Sequence, residues 1–377
     1  MKSTLPPNTL RITLFSLCFL GTLHTFCQEE ELHLTAELTG FPDSTLFFLE
    51  NTSTQAVLDT AMLISGKFEM YAQLAETPET LFLYARLEGE KPKTWLLLGN
   101  EAVTLKADKK DFPWQVDATG SASQDEREAM RNYILKWQLE GDRLQDKMME
   151  QLRKSGNIKM RLAKKWSHAG DSVKARKWAY LQTHPNEVNS LYQAKYLLNK
   201  FPKQEIQGFY NSLTPEMKAN KFAAPIRIFL EEGFVQTGDT LYDFVAEDMT
   251  GKSYRFSEVT GDYTLLTFMS TQCGVSRASN EGLKKLVEAQ DSIKVVSFSV
   301  DANREIWANS CKTEGGDWLS LWDGTGAYGK TYIRYGQPSF PGYVLIGPDK
   351  KVIAQWSGYS TQGDSEYIIK KIQSALK

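Results

Sequence analysis

The chain has 377 residues, enough for two or three domains, and 41% of them are hydrophobic, which supplies material for packed cores. Lys and Arg number 44 against 46 Asp and Glu, a formal net charge of −2, so nothing argues for nucleic acid or an anionic surface as a partner. The four His do not fall in metal-ligand spacing with cysteine, so no zinc site is expected, and no cofactor.

The first 27 residues read as a leader rather than as part of a fold. "MKSTLPPNTLR" carries Lys2 and Arg11, "ITLFSLCFLGTL" is a short apolar run, and "HTFCQEEE" turns abruptly polar. That is the pattern of a secretory signal peptide; the run is shorter than the roughly 20 apolar residues that span a bilayer. Thr25 and Cys27 are small enough for positions −3 and −1 of a cut before Gln28. The competing reading is a lipid tether through Cys27, against which bulky Phe26 stands where that signal prefers a small residue. An exported protein is expected in either case. Cleavage removes Cys18 and Cys27 and leaves Cys273 and Cys311, too few for a disulfide scaffold.

Residues 28–120 read as a β-rich domain. "ELHLTAEL", "STLFFLE", "AVLDTAMLI", "GKFEMYAQL", "TLFLYARL", "TWLLLG" and "AVTLKA" are short, partly alternating runs punctuated by Gly, Pro, Asp and Asn. They predict an antiparallel sandwich or barrel. Residues 121–235 change to helical spacing. Ser123 with Glu126 fits a capping box, and Ile134, Trp137, Leu144, Met148 and Leu152 fall on one helical face. "THPNEV", "KFPKQE" and "LTPEM" predict new helix starts with Pro near the first turn. Trp166, Trp178, Tyr180, Tyr192 and Tyr196 are expected to be packing residues.

Residues 236–377 alternate strand and helix and predict an α/β sheet. "DYTLLTFMS" and "IKVVSFSVD" are buried-type strands, "SNEGLKKLVEAQ" and "NREIWANSCKTE" are helices, and "WLSLW" is a short strand. "GYVLIGPDKKVIAQW" is a hairpin turning at Gly347-Pro348-Asp349, and "DSEYIIKKIQSAL" closes the chain as a helix. The fold class predicted is therefore multidomain: an antiparallel β domain, a helical middle segment and a C-terminal α/β domain.

Within that last region "TLYDFVAEDMTGKSYRFSEV", "GDYTLLTFMSTQCGVSR", "VVSFSVDANREIW" and "YGQPSFPGYVLIGPDKKVI" occur in the order of four family motifs. The region resembles exported thioredoxin-like proteins of the TlpA/ResA type, related to the AhpC/TSA peroxiredoxin-like proteins. The β and helical regions resemble the N-terminal half of longer envelope proteins that carry this domain. The resemblance implies a thioredoxin-like fold, protein or small-molecule thiols and disulfides as partners, and the periplasm or cell envelope of a Gram-negative bacterium.

The departures from the family gather at the implied site. Gln272 stands for its tryptophan, Val275 for its proline and Ser276 for its second cysteine, while Ser279 and Glu281 occupy the positions of its Glu and Pro. The resemblance places Cys273 at a helix N-terminus, where free N–H groups and the helix dipole stabilise an anion. A lowered thiol pKa is expected there, with Ser276 donating to the sulfur and Arg277 adding positive charge. Phe340-Pro341-Gly342 corresponds to the family's cis-proline loop, with Pro341 the candidate cis residue. Cys273, Ser276 and Pro341 are the candidate site residues.

Three readings stay open. Cys273 alone performs thiol–disulfide exchange through mixed disulfides that an outside thiol resolves. Alternatively, the fold is a redox-inactive binding or structural module. In the third, a peroxidase uses Cys311 as the resolving cysteine, although Leu266 and Ser270 occupy the Pro and Thr of the peroxidatic signature. The expectation for Cys311 outside that reading is a small buried side chain. "CGVS" is also one residue from the "CGFS" of monothiol glutaredoxins, whose surrounding motifs are missing here.

Overall fold

The computed structural model describes residues 31–112, 116–359 and 366–377; the expected leader, with Cys18 and Cys27, lies outside the described residues. The strands of the first region are β1 (Leu32–Thr39), β2 (Leu46–Asn51), β3 (Val57–Met62), β4 (Lys67–Ala72), β5 (Glu79–Ala85), β6 (Lys93–Leu98), β7 (Ala102–Asp108) and β8 (Asp117–Thr119). They form two four-stranded sheets, in the orders β4-β1-β7-β8 and β3-β2-β5-β6. Alternation drives the packing. Leu32, Leu34, Ala36 and Leu38 of β1 and Phe68 and Met70 of β4 point to one side, where they meet Phe47, Leu49, Leu81 and Leu83 of the other sheet. One pairing, β1 with β7, runs parallel, because the chain passes through the second sheet before it returns beside β1.

Strand β6 faces two cores. Leu96 and Leu98 lie in the sandwich, while Leu97 and Trp95 pack among the helices that follow. These helices are α1 (Ala122–Ser155), α2 (Met160–Thr183), α3 (Val188–Ala194), α4 (Lys203–Ser212), α5 (Pro215–Ala219) and α6 (Ala224–Glu232). The N-cap of α1 is Ser121, two residues ahead of the expected Ser123: its Oγ accepts the Gln124 N–H at 3.3 Å. Glu126 is not free to close the expected box, because its carboxylate accepts the Asn189 N–H at the start of α3 (3.1 Å). Helix α1 ends at Gly156, in the left-handed region at φ 67°, whose N–H caps Leu152 O. Ile134 and Leu144 are buried as the spacing predicts, but Trp137, Met148 and Leu152 are only half-buried. The Pro-marked starts hold: Pro202 and Thr214-Pro215 open α4 and α5.

The last region comprises β9 (Val245–Glu247), β10 (Ser253–Arg255), β11 (Tyr263–Met269), α7 (Gly274–Ala289), β12 (Ile293–Ser299), α8 (Arg304–Glu314) and β13 (Leu319–Trp322). α9 (Lys330–Tyr335), β14 (Gly342–Ile346), β15 (Val352–Ser357) and α10 (Tyr367–Ala375) follow. One seven-stranded sheet runs β10-β9-β13-β12-β11-β14-β15, parallel from β13 to β11 and antiparallel elsewhere. Its central strands are apolar on both sides, as a sheet covered by helices requires. Leu266, Phe268, Val296, Phe298 and Val344 face one core. Leu265, Val295 and Leu345 face the other, under Leu283 and Leu286 of α7 and Ile368 and Ile372 of α10. The β14–β15 turn is at Gly347–Lys350, where Asp349 Oδ1 accepts the Lys351 N–H (3.1 Å). Among the described residues, no helix is long and apolar enough to cross a membrane.

Candidate active site

The site forms where β11, an interior strand of the sheet, ends and α7 begins. The chain turns through Ser270-Thr271-Gln272, and the Cys273 N–H donates to Ser270 O at 3.1 Å. Cys273 is the N-cap of α7, with extended backbone (φ −85°, ψ 108°). Its thiol is half-buried and faces Phe340 O at 3.7 Å. The Phe340–Pro341 bond is cis, and β14 starts at the next residue, Gly342, which pairs with Phe268 of β11. The pairing of β11 with β14 thus brings Cys273 and the Pro341 loop together.

Ser276 lies in the first turn of α7. It is buried, and its Oγ accepts the Ser270 N–H at 3.5 Å, so it braces the loop beneath the cysteine. Ser279, also buried, donates to Ser276 O (2.7 Å). One Arg277 guanidinium nitrogen donates to Thr271 O (2.8 Å), and its Nε lies 3.8 Å from Glu314. Glu281 sits on the surface beside Lys285.

The loop before Cys273 is held by a residue that sequence reasoning passed over. Asp301, 2% exposed just beyond β12, accepts the Thr271 N–H (3.1 Å) and the hydroxyls of Ser270 (3.2 Å) and Ser299 (2.6 Å). The Gln55 amide, from the β2–β3 turn of the first domain, donates to the same carboxylate. Thr271 Oγ1 lies 3.0 Å from both Asp301 Oδ1 and Gln55 Oε1, with one proton to give. Next to it, Gln272 Nε2 donates to Glu50 Oε1 at the end of β2 (2.7 Å). The polar residue in the family's tryptophan position therefore serves a contact between domains.

Cys311, on α8, is a free thiol, as is Cys273. Its sulfur lies 3.2 Å from Ser320 Oγ, which also receives the Trp307 indole N–H. A cavity of about 80 Å³ beside it is lined by Ser276, Asp301 and Trp318. Burial pushes the Cys311 thiol up; the Ser320 hydrogen bond opposes that rise and the Asp301 charge adds to it. Only the thiolate reacts. Cys311 is therefore expected to alkylate slowly near neutrality and to speed up only at higher pH, after Cys273 has been consumed. Time-resolved intact mass with iodoacetamide, followed by peptide mapping, checks that order.

Among the described residues, no three His, Cys, Asp or Glu side chains converge as a metal site. Comparison with known proteins gives two family matches. Residues 236–369 match the family described as Redoxin, and residues 32–127 match the domain of unknown function DUF4369. No curated protein matches the chain. Among solved structures, it is similar to a chain from Chlorobium tepidum named as a candidate thiol:disulfide interchange protein DsbE, at 25% identity and TM-score 0.34 over 38% of this chain and 99% of that one. A thioredoxin domain of a thiol-disulfide oxidoreductase from Bacteroides vulgatus is 21% identical, with TM-score 0.32 over 37% and 98% of the two chains. A thiol-disulfide oxidoreductase from Bacteroides fragilis is 23% identical, with TM-score 0.31 over 36% and 98%. The chain thus joins a DUF4369 β domain, through a helical segment, to a Redoxin domain of thioredoxin-like fold.

Proposed function

We propose that the protein is an exported monothiol oxidoreductase of the cell envelope. Cys273 exchanges with disulfides of proteins or small thiols through a mixed disulfide. The observation that carries this reading is the placement of a half-buried thiol at the N-cap of α7, against the Phe340-Pro341 loop, with a buried serine three residues on. In the forward step the Cys273 thiolate attacks one sulfur of a partner disulfide. A Cys273–partner disulfide forms, the partner's other sulfur leaves as a thiolate, and that thiolate takes a proton from water. With Ser276 in the second position no internal thiol releases the partner, so an external thiol completes the cycle. The N-terminal run of residues 1–27 supports export, and the Thr25–Cys27 end supports cleavage over lipidation.

A partner disulfide offered with no other thiol is the direct test. The wild type is expected to accumulate a one-to-one mixed disulfide that added glutathione discharges. Absence of any adduct would leave the fold as a binding module, and a Cys273–Cys311 bond with peroxide consumption would make it a peroxidase. Ser276→Cys is expected to convert the accumulated adduct into a released product and to raise disulfide-reductase turnover at least about tenfold, because the release step becomes intramolecular. Insulin reduction followed by turbidity reads the difference.

A further inference from the structure

Lined by none of the residues around Cys273, a cavity of about 260 Å³ between β6 and the helices α1, α2 and α3 shares its wall with a cleft of about 770 Å³. The size lies in the range of small-molecule sites. One wall is apolar and aromatic. Met130 and Ile134 form its floor, and the Trp95 ring packs 4.8 Å from that of Tyr192. Tyr196 and Trp166, expected as packing residues, instead lie on the rim and are 51% and 42% exposed.

The charge in this cavity is unbalanced. Arg127 stacks over Trp95, its guanidinium 4.6 Å from the ring centre, and makes no ion pair among the described residues. Lys177 donates to the neutral Gln193 Oε1 at 3.1 Å and likewise has no carboxylate partner among them. Arg131 lies 3.9 Å from Glu128, and the one acid on the cavity wall, Asp142, accepts the Gln138 amide (2.9 Å). Burial lowers the pKa of both cations, Arg127 to about 10, and each is further lowered by a neighbouring cation, with the Glu128 charge opposing the fall at Arg127. Two partly buried cations with no carboxylate in contact among the described residues cost stability. Buried Asn189, on the same wall, keeps a side-chain oxygen with no hydrogen-bond partner, an acceptor that one donor would satisfy.

We infer that this cavity binds a small amphipathic anion, its acidic group between Arg127 and Lys177 and its ring body against Trp95 and Tyr192. A carboxylate or sulfonate supplies the contacting acidic partner that neither cation has among the described residues, and an N–H or O–H on the ligand meets Asn189. The inference does not depend on the redox reading of Cys273.

The probe is 8-anilinonaphthalene-1-sulfonate, which combines a sulfonate, an N–H and fused rings, titrated by fluorescence into the full chain. Binding is expected to saturate at one site and to exceed that of the neutral analogue N-phenyl-1-naphthylamine at least about tenfold. Lys177→Met and Arg127→Gln are each expected to weaken the sulfonate about tenfold or more and to leave the neutral analogue unchanged. Lys177→Met is also expected to melt at or above the wild-type temperature, since it removes an uncompensated cation, while Lys177→Arg keeps binding. Equal affinity for the two probes, non-saturating binding, or unchanged sulfonate binding in both charge variants would overturn the inference. So would a lowered melting temperature in Lys177→Met with binding intact.

Discussion

Cys273→Ala is expected to lose mixed-disulfide formation completely while the protein keeps its fold. Among the described residues the sulfur makes one weak hydrogen bond, 3.7 Å to Phe340 O, and it is only half-buried. Its removal should change stability by less than about 1 kcal/mol. Activity should fall to the uncatalysed background, because no other thiol occupies the loop. Cys311→Ala is the control: that thiol sits beside Ser320 on another helix and is held protonated by burial. It should retain adduct formation at the wild-type rate. Equal loss in both variants would point to a Cys273–Cys311 couple. Adduct formation that persists in Cys273→Ala would remove Cys273 from the mechanism altogether. Mass spectrometry of the trapped adduct, together with far-ultraviolet circular dichroism of each variant, separates these outcomes from simple misfolding.

Asp301→Ala should have the largest effect on stability. The carboxylate, 2% exposed, gathers the Thr271 N–H, the Ser270 and Ser299 hydroxyls and the Gln55 amide. Alanine leaves the buried Ser299 hydroxyl and the half-buried Thr271 N–H, Ser270 hydroxyl and Gln55 amide without this acceptor, at a cost of about 3 kcal/mol. The urea midpoint should drop by about 1 M. Asp301→Asn keeps one acceptor oxygen and places an NH₂ where the other stood, so an intermediate loss is expected. The same series should alter Cys273 alkylation kinetics, since the Ser270–Gln272 turn that presents the cysteine hangs from this carboxylate. An unchanged midpoint in Asp301→Ala would mean that the donors find other partners once the carboxylate is gone.

Much of this architecture was legible in the residues, and the reason is periodicity. Strands β1 and β4 alternate cleanly because one face is buried, and β11 and β12 run apolar because both faces are covered. Pro202 and Pro215 marked helix starts through local chemistry alone. Cys273 and the Phe340-Pro341 loop were found from motif order. What stayed hidden depends on contacts distant in sequence. Ser121 caps α1 in place of Ser123 because Glu126 is engaged by the start of α3, a partner 63 residues away. Asp301 stood in a recognised motif, but nothing local tells that a buried carboxylate there collects a loop. Gln55 in a surface-type turn carried no signal at all. That Ser276 also accepts a backbone N–H from the loop beneath the cysteine carried no signal in the sequence either.

The contacts of Glu50 with Gln272 and of Gln55 with Asp301 and Thr271 span 216 to 246 positions of the chain. They tie the chemistry of one sulfur to the integrity of a domain with no cysteine of its own after residue 31. Partial unfolding of the β sandwich would release Gln55 and Glu50 before it disturbed the central sheet around Cys273. The rate at which Cys273 takes up an alkylating reagent thus becomes a local gauge of that unfolding. A denaturant series read at this thiol would report the melting of β1–β8 as a change in slope ahead of the collapse of the sheet itself.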